Sequence, residues 1–152
     1  MAKFNAMNSV KTTIVPQERK DKLFELLGSQ GVYLGIINLT QHQSTPEQEW
    51  DGVFEPQDKE NVRRLLTFDT IPNKGVLYMR AVQLAEIASE SGAKFAMIGG
   101  APYLMGALEN ALKEKGIQPL YSFSERESIE ETLPSGDVIK KSVFRHKGFI
   151  KA

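Results

Sequence analysis

Short apolar runs alternate along the chain with segments in which apolar residues recur every three or four positions. The runs at Val32–Leu39, Lys94–Ile98 and Leu120–Ser124 are short and rich in β-branched or aromatic residues, which is typical of buried strands. The helices are predicted from the spacing of apolar residues, from prolines at first helical positions and from glycines just after the last turn. Five helices are predicted. The first runs from Pro16 to Gly28, the second from Pro46 to near Gly52, and the third begins at Pro56. The fourth covers Gly75–Ser91, and the fifth runs from the Gly99–Pro102 turn to Gly116.

The order strand, helix, strand, helix, strand predicts an α/β fold with a Rossmann-like, doubly wound, mostly parallel sheet. The tail has a turn at Pro134–Asp137, and the extended segments on either side are predicted to pair as a C-terminal β-hairpin. We expect two parts: an N-terminal arm and helix in residues 1–30, and the Rossmann-like α/β domain in residues 31–152.

Composition narrows the classes of partner and compartment. Nineteen basic residues balance nineteen acidic ones, so the basic excess that duplex nucleic acid usually requires is missing. The chain has no cysteine, which excludes disulfides and cysteine nucleophiles and fits a reducing cytosol. No apolar run approaches the roughly 20 residues that cross a membrane, and MAKFNAMNSVK lacks the apolar core of a secretory signal. We expect a cytoplasmic protein with neither a membrane nor duplex nucleic acid as partner.

Polar side chains crowd the end of the first predicted strand, in IINLTQHQSTPEQ, where TPEQ has the form of a capping box. In open α/β sheets, ligands sit beyond the carboxyl ends of the strands. Three connectors should meet at that edge: Asn38–Thr45, Gly99–Tyr103 and Ser122–Arg126. With Arg80 from a neighbouring helix, they supply the candidate ligand-binding residues, which are Asn38, Thr40, Gln41, Arg80, Gly99, Gly100, Ala101, Pro102, Tyr103, Ser124 and Arg126.

Several of these residues have two interpretations. The glycines of MIGGAPYLM either permit a tight turn or let the backbone approach a ligand, with the first helical N–H groups as an anion seat and Tyr103 stacking on a base. The segment is neither a P-loop nor a GxGxxG motif. Asn38 either ties down a neighbouring loop or contacts ligand. Arg80 either pairs with a ligand anion, as we also expect of Arg126, or forms a salt bridge.

His42 and His146 are the only histidines and therefore the candidate catalytic proton shuttles. The alternatives are a hydrogen-bonded loop residue for His42 and a solvated strand face for Arg145–Lys147. Ser124 lacks a GxSxG context and an evident histidine–acid partner, which argues against a serine hydrolase. The two histidines have no metal-ligand spacing, and we expect neither a metal nor a cofactor.

The strings NLTQHQSTPEQ, LLTFDTIP, AMIGGAPYLMGALENAL, PLYSFSERESIE and VFRHKGF resemble a family of small uncharacterised proteins from bacteria and phages, over roughly residues 33–150. The layout also resembles the CRISPR-associated Rossmann-like (CARF) proteins and their small stand-alone relatives, the ring nucleases. That resemblance implies that the ligand is a cyclic oligonucleotide or a related signal molecule. It would be held by the polar loop after the first strand and by the small-residue loop after a later strand. It also implies a homo-oligomer, in which a dimer places two copies of the edge around a symmetric ligand.

The sequence thus predicts binding of a nucleotide-derived signal, with sequestration or metal-independent cleavage, in a CRISPR, phage-defence or anti-defence setting. Two alternatives stay open. One is a small metabolic enzyme acting on a phosphorylated metabolite. The other is a non-catalytic module that inhibits a host protein, in which the polar edge is only fold architecture.

Overall fold

The computed structural model describes Asp21 and residues 35–152. The predicted arm and helix of residues 1–30, Asp21 excepted, lie outside the described residues, as does the start of the first predicted strand. Across the described part of the chain, helices long and apolar enough to cross a membrane do not occur.

A five-stranded sheet forms the centre of a mixed α/β fold. Its strands lie in the order β2-β1-β3-β4-β5, and the first four run parallel. β4 and β5 form the predicted C-terminal antiparallel hairpin. The prediction that the third strand ends at Ser124 is wrong, because pairing with β5 extends β4 to Thr132. The strands are β1 Ile36–Leu39, β2 Val53–Phe54, β3 Phe95–Ile98, β4 Gln118–Thr132 and β5 Val138–Lys151.

Four helices connect these strands, and side-chain caps fix where three of them begin. Thr45 and Gln48 form the predicted capping box at the first. Asp58 caps the second by accepting from the N–H of Asn61, so the predicted start at Pro56 is wrong. Asn73 caps the third. The helices are α1 Pro46–Trp50, α2 Lys59–Leu66, α3 Lys74–Glu90 and α4 Pro102–Glu114.

Alternation along the strands divides the core into two clusters. Ile37, Leu39 and Ile98 point to one face, where the buried stripes of α2, α3 and α4 pack over them. Their neighbours on the other face form a smaller cluster, made of Ile36, Val53, Phe95, Met97, Leu120 and Phe149. We call these the helical face and the opposite face. The short helix α1 contacts β2 and β5.

Candidate functional site

An open cleft of about 460 Å³ lies at the carboxyl ends of β1 and β3, beside β4. We call it the edge cleft. The predicted site residues that line it are Thr40, Gln41, His42, Gly99, Gly100 and Ser124. The other lining residues are Gln43, Thr45, Gln48, Met97, Ile98, Tyr121 and Ser122. The cleft therefore brings together parts of all three connectors that the sequence placed at this edge.

Asn38 is fully buried and organises the loop that follows β1. Its Nδ2 donates to Glu55 Oε1 at 2.7 Å and to the carbonyl of His42 at 2.8 Å. Its Oδ1 accepts from the hydroxyl of Thr40 at 2.7 Å and from the backbone N–H of Thr40 at 3.0 Å. Of the two interpretations of Asn38, the structure supports the one in which its side chain holds the neighbouring loop in place. These bonds leave the His42 side chain exposed beside the cleft.

Glu55 extends this polar network beneath the loop. Its Oε1 accepts from the backbone N–H of Ser44 at 3.0 Å, and its Oε2 lies 3.1 Å from Lys59 Nζ. Burial lowers the pKa of Lys59, although the hydrogen bond and charge of Glu55 act in the opposite direction. Glu55 is half-buried and accepts from several donors, so this network fixes the loop's conformation.

Gln41 joins the same loop to the end of α2. Its side-chain Nε2 donates to the carbonyl of Leu66 at 3.2 Å and lies 3.3 Å from the hydroxyl of Thr67. Its own carbonyl accepts from Arg63 Nε at 2.9 Å. Gln41 therefore lines the cleft with a side chain whose amide is already hydrogen-bonded at the end of α2.

The second wall is the turn between β3 and α4. Gly100 has φ +145°, a conformation that L side chains rarely adopt, so this position requires glycine. A Cβ on Gly99 would lie 3.6 Å from Cγ2 of Thr40, so the two walls nearly touch at this point. Ala101 stands at the N-cap of α4 without a side-chain cap, unlike the capping residues of α1, α2 and α3. The N-terminal end of α4 is thus left to attract negative charge.

β4 supplies the third wall. Ser122 lies 2.6 Å from His146, measured from Oγ to Nδ1, and accepts from Gln48 Nε2 at 3.2 Å. The Nε2 of His146 lies 2.8 Å from Asp51 Oδ2. His146 is thus buried on the opposite face, and the solvated-strand interpretation of this segment is wrong for it. That interpretation fits its neighbour Arg145, which is exposed and pairs with Glu47 and Glu127.

Tyr121 also lines the cleft, but its hydroxyl is turned towards α4. It donates to Glu109 Oε2 at 2.7 Å. Burial, with the hydrogen bond to Glu109 and its charge, raises the pKa of Tyr121 to about 12. This phenol therefore stays protonated at neutral pH.

The two predicted arginines do not line the edge cleft. Arg80 donates to the carbonyls of Leu65 and Thr67 at the end of α2, and its guanidinium lies 4.4 Å from the ring centroid of Phe68. Carbonyls at a helix C-terminus attract cations, which explains this placement. Neither a ligand anion nor the expected salt bridge is needed to hold Arg80. Arg126 lies on the hairpin, 5.3 Å from the ring centroid of Phe144.

Ala101, Pro102 and Tyr103 adjoin the cleft in sequence without lining it. Tyr103 instead packs edge-on against Phe68, with ring centroids 5.4 Å apart, and lines a second groove. Its ring is thus placed away from the position expected for stacking on a ligand in the edge cleft.

Sequence reasoning missed Ser122, Gln48, Asp51 and Glu55. Two signals were available: Ser122 begins the predicted Ser122–Arg126 connector, and the capping box identified Gln48, whose side-chain amide also reaches Ser122. His146 and Asp51 lie 95 positions apart, so no local pattern in the sequence indicated that their side chains meet. Groups of three or more His, Asp or Glu side chains with the clustering that a metal ion needs do not occur in the part of the chain that the structure describes.

A family model for the uncharacterised protein MJ1673 family matches residues 35–150. The chain belongs to that family. No curated protein and no solved structure matched the chain. The matched region contains the described strands and helices, apart from Lys151 at the end of β5, and all described residues that line the edge cleft.

Proposed function

We propose that this member of the MJ1673 family binds a nucleotide-derived ligand in the edge cleft. The observation that carries the proposal is the convergence of the Thr40–Gln43 loop and the Gly99–Gly100 turn on one cleft at the carboxyl ends of the strands. This is the position where open α/β sheets hold ligands. A pocket with a few converging polar groups is the usual form of a small-molecule site.

The lining suggests how such a ligand is held. The backbone of the Gly99–Gly100 turn, which lines the cleft, suits one phosphate group. The hydroxyl of Thr40, the imidazole of His42 and the amide of Gln43 suit base and ribose edges. No lysine or arginine is among the described residues that line the cleft, which favours a ligand with a single phosphate or phosphodiester at this turn.

The parallel sheet, a polar loop after β1 and a small-residue loop after β3 are compatible with a Rossmann-like, doubly wound fold of the CARF type. On that basis the ligand is a cyclic oligonucleotide or a related signal, bound by a cytoplasmic homodimer that sequesters or cleaves it in bacterial or phage defence and anti-defence. Light scattering of the purified protein tests the dimer.

An interaction module is the second candidate, and an exposed apolar groove favours it. Phe68, Ile71, Leu77 and Tyr103 line this groove of about 570 Å³ on the helical side, and Ile71 is 98% exposed. Exposed apolar surface of this kind is typical of protein-binding sites. Under this candidate, a host protein binds the groove and the edge cleft takes no part.

Isothermal titration calorimetry tests the proposed function directly. The probes are AMP, cyclic AMP, cyclic tetra-adenylate and ADP-ribose, each titrated into the full chain. We expect micromolar binding of one class, weakened at least about tenfold by His42→Ala and by Gln43→Ala. Gln83→Ala is the matched control, because Gln83 is exposed on α3 and does not line the cleft. Absence of binding by all four probes at high micromolar concentration would overturn the proposal.

A further inference from the structure

A continuous chain of hydrogen bonds leads from the edge cleft into the interior. Ser122 lines the cleft, its Oγ lies 2.6 Å from His146 Nδ1, and His146 Nε2 lies 2.8 Å from Asp51 Oδ2. His146 is 2% exposed and Asp51 is 5% exposed. The order is a hydroxyl at the cleft, a base behind it and a buried acid behind the base. The same order of groups activates serine nucleophiles on unrelated folds, although here the two ring nitrogens of the histidine exchange partners, with Nδ1 at the serine and Nε2 at the acid.

Gln48 fixes the direction of these bonds. In the capping box its Oε1 accepts from the backbone N–H of Thr45 at 3.0 Å, so Nε2 is the atom that faces Ser122. An amide nitrogen only donates, and Ser122 Oγ therefore accepts from it. An ionised carboxylate only accepts, so a neutral His146 donates from Nε2 to Asp51 and keeps Nδ1 as an acceptor. The hydroxyl proton of Ser122 is consequently directed at His146 Nδ1.

A β-bulge explains why His146 reaches this position. Phe123 pairs with Gly148 and Ser124 pairs with His146, which leaves Lys147 as an extra residue in β5. In a regular strand, His146 and Phe149 would point to opposite faces because they are three residues apart. The extra residue puts both on one face, and their ring centroids lie 4.6 Å apart. Bulges of this kind re-aim side chains next to active sites.

We propose that Ser122 is a catalytic nucleophile for ester hydrolysis, with His146 as its general base and Asp51 as the residue that positions His146. The substrate class is a carboxylic ester. If the proposed function holds, the ester is an acyl group on a sugar hydroxyl of the nucleotide-derived ligand. The proposal rests on that function only for the identity of the alcohol portion.

The lining of the cleft favours acyl over phosphoryl chemistry. Phosphoryl transfer spreads charge over three equatorial oxygens, and cationic side chains commonly help to stabilise it. The described lining contains no arginine or lysine, and Arg80 is engaged at the end of α2. Attack on an ester places negative charge on a single oxygen, which one or two N–H donors stabilise. Gly99, Gly100 and Gln43 line the same cleft, so the backbone N–H groups of the glycines and the side-chain amide of Gln43 are the candidates for this role.

The reaction balances with water as the only co-reactant. Ser122 Oγ attacks the ester carbonyl carbon while its proton passes to His146 Nδ1, giving a tetrahedral oxyanion. Collapse breaks the carbon–oxygen bond to the alcohol, which takes the proton from His146, and leaves an acyl group on Ser122. Water then attacks the acyl carbon with His146 as base. The acid leaves, and the proton returns to Ser122.

The experiment uses a fluorophosphonate probe on the full chain, read by intact mass and peptide mapping. Ser122 should displace fluoride and carry the probe in stoichiometric amount. His146→Gln should label at least about 100-fold more slowly, and Ser122→Ala should not label. Ser128→Ala, an exposed serine further along β4, should label like the wild type. Peptide mapping of the wild-type protein identifies the modified residue even if a variant fails to fold.

Turnover of p-nitrophenyl acetate separates the positioning role of Asp51 from a structural one. Asp51→Asn should lower kcat at least about tenfold with KM unchanged, because the substrate does not contact Asp51. Failure of wild-type Ser122 to label, or labelling at another residue, overturns the proposal. Labelling of Ser122 without calorimetric binding of any nucleotide probe would overturn the proposed ligand class and leave the nucleophile standing. Nucleotide binding without labelling of Ser122 would overturn the proposed nucleophile and leave the proposed ligand class standing.

Discussion

Asn38 and Glu55 lie 17 residues apart in sequence, yet Nδ2 of the first donates to Oε1 of the second at 2.7 Å beneath the loop that forms one wall of the edge cleft. Asn38 lies in β1, and Glu55 directly follows the neighbouring parallel strand β2. A polar network beneath the loop, together with the loop's own residues, therefore fixes this wall of the cleft. This has consequences for stability that can be measured separately from binding.

Asn38→Ala should destabilise the fold by about 3 kcal/mol, because it leaves the carboxylate of Glu55 and the hydroxyl of Thr40 with fewer partners. Urea denaturation followed by circular dichroism measures the change. Asn110→Ala is the control, since Asn110 is exposed on α4 and its loss should cost less than about 0.5 kcal/mol. Equal stability of the two variants would contradict the role given to Asn38.

Arg80→Ala should destabilise the protein by about 1–2 kcal/mol without weakening ligand binding. The variant loses hydrogen bonds to the carbonyls at the end of α2 and the contact with the ring of Phe68. Thermal denaturation and calorimetry on one preparation measure both properties. Arg64→Ala, which removes an exposed arginine of α2, should change stability by less than about 0.5 kcal/mol. A large loss of affinity in Arg80→Ala with unchanged stability would return Arg80 to the binding site.

The two glycines of the β3–α4 turn should respond differently to alanine. Gly100→Ala should cost about 1–3 kcal/mol, because φ is +145° there and L side chains are strained in that conformation. Gly99→Ala should stay within about 0.5 kcal/mol, since its Cβ would meet Thr40 Cγ2 at an ordinary contact distance of 3.6 Å. Chemical denaturation of both variants checks the difference. The reverse order of stabilities would contradict the backbone geometry of this turn.

Tyr121 should make stability fall at high pH. The pKa of Tyr121 in the folded protein is raised to about 12 from its ordinary value of 10.0, first by burial and then by Glu109. The protonated phenol therefore contributes stability that is complete below pH 10 and is lost as the pH rises towards about 12. Denaturation midpoints across this window should fall less in Tyr121→Phe than in the wild type. Parallel curves for the two proteins would contradict the raised pKa.

Local signals in the sequence were enough to predict most of the regular structure. The helix predicted over Gly75–Ser91 is α3, and the capping box at Thr45 is present with both of its bonds. The C-terminal hairpin turns where the proline, serine and glycine residues indicated. These features depend on residues within a few positions of one another.

Features that depend on distant contacts were not predictable in the same way. His146 reaches the opposite face because of one extra residue in β5, and nothing in VFRHKGF indicates which strand position carries it. Arg80 binds carbonyls 13 and 15 residues away, at a helix end whose location depends on packing. The edge cleft itself was predictable from topology, since the carboxyl ends of parallel strands meet at one edge.

Amide chemical shifts of the isotopically labelled protein, recorded during titration with cyclic tetra-adenylate and with AMP, test the central claim most directly. We expect binding of either probe to shift the amides of His42, Gln43, Gly99 and Gly100 most strongly and to leave those around Ile71 unchanged. Shifts confined to the groove of Phe68, Ile71, Leu77 and Tyr103, or no shifts with either probe, would contradict it.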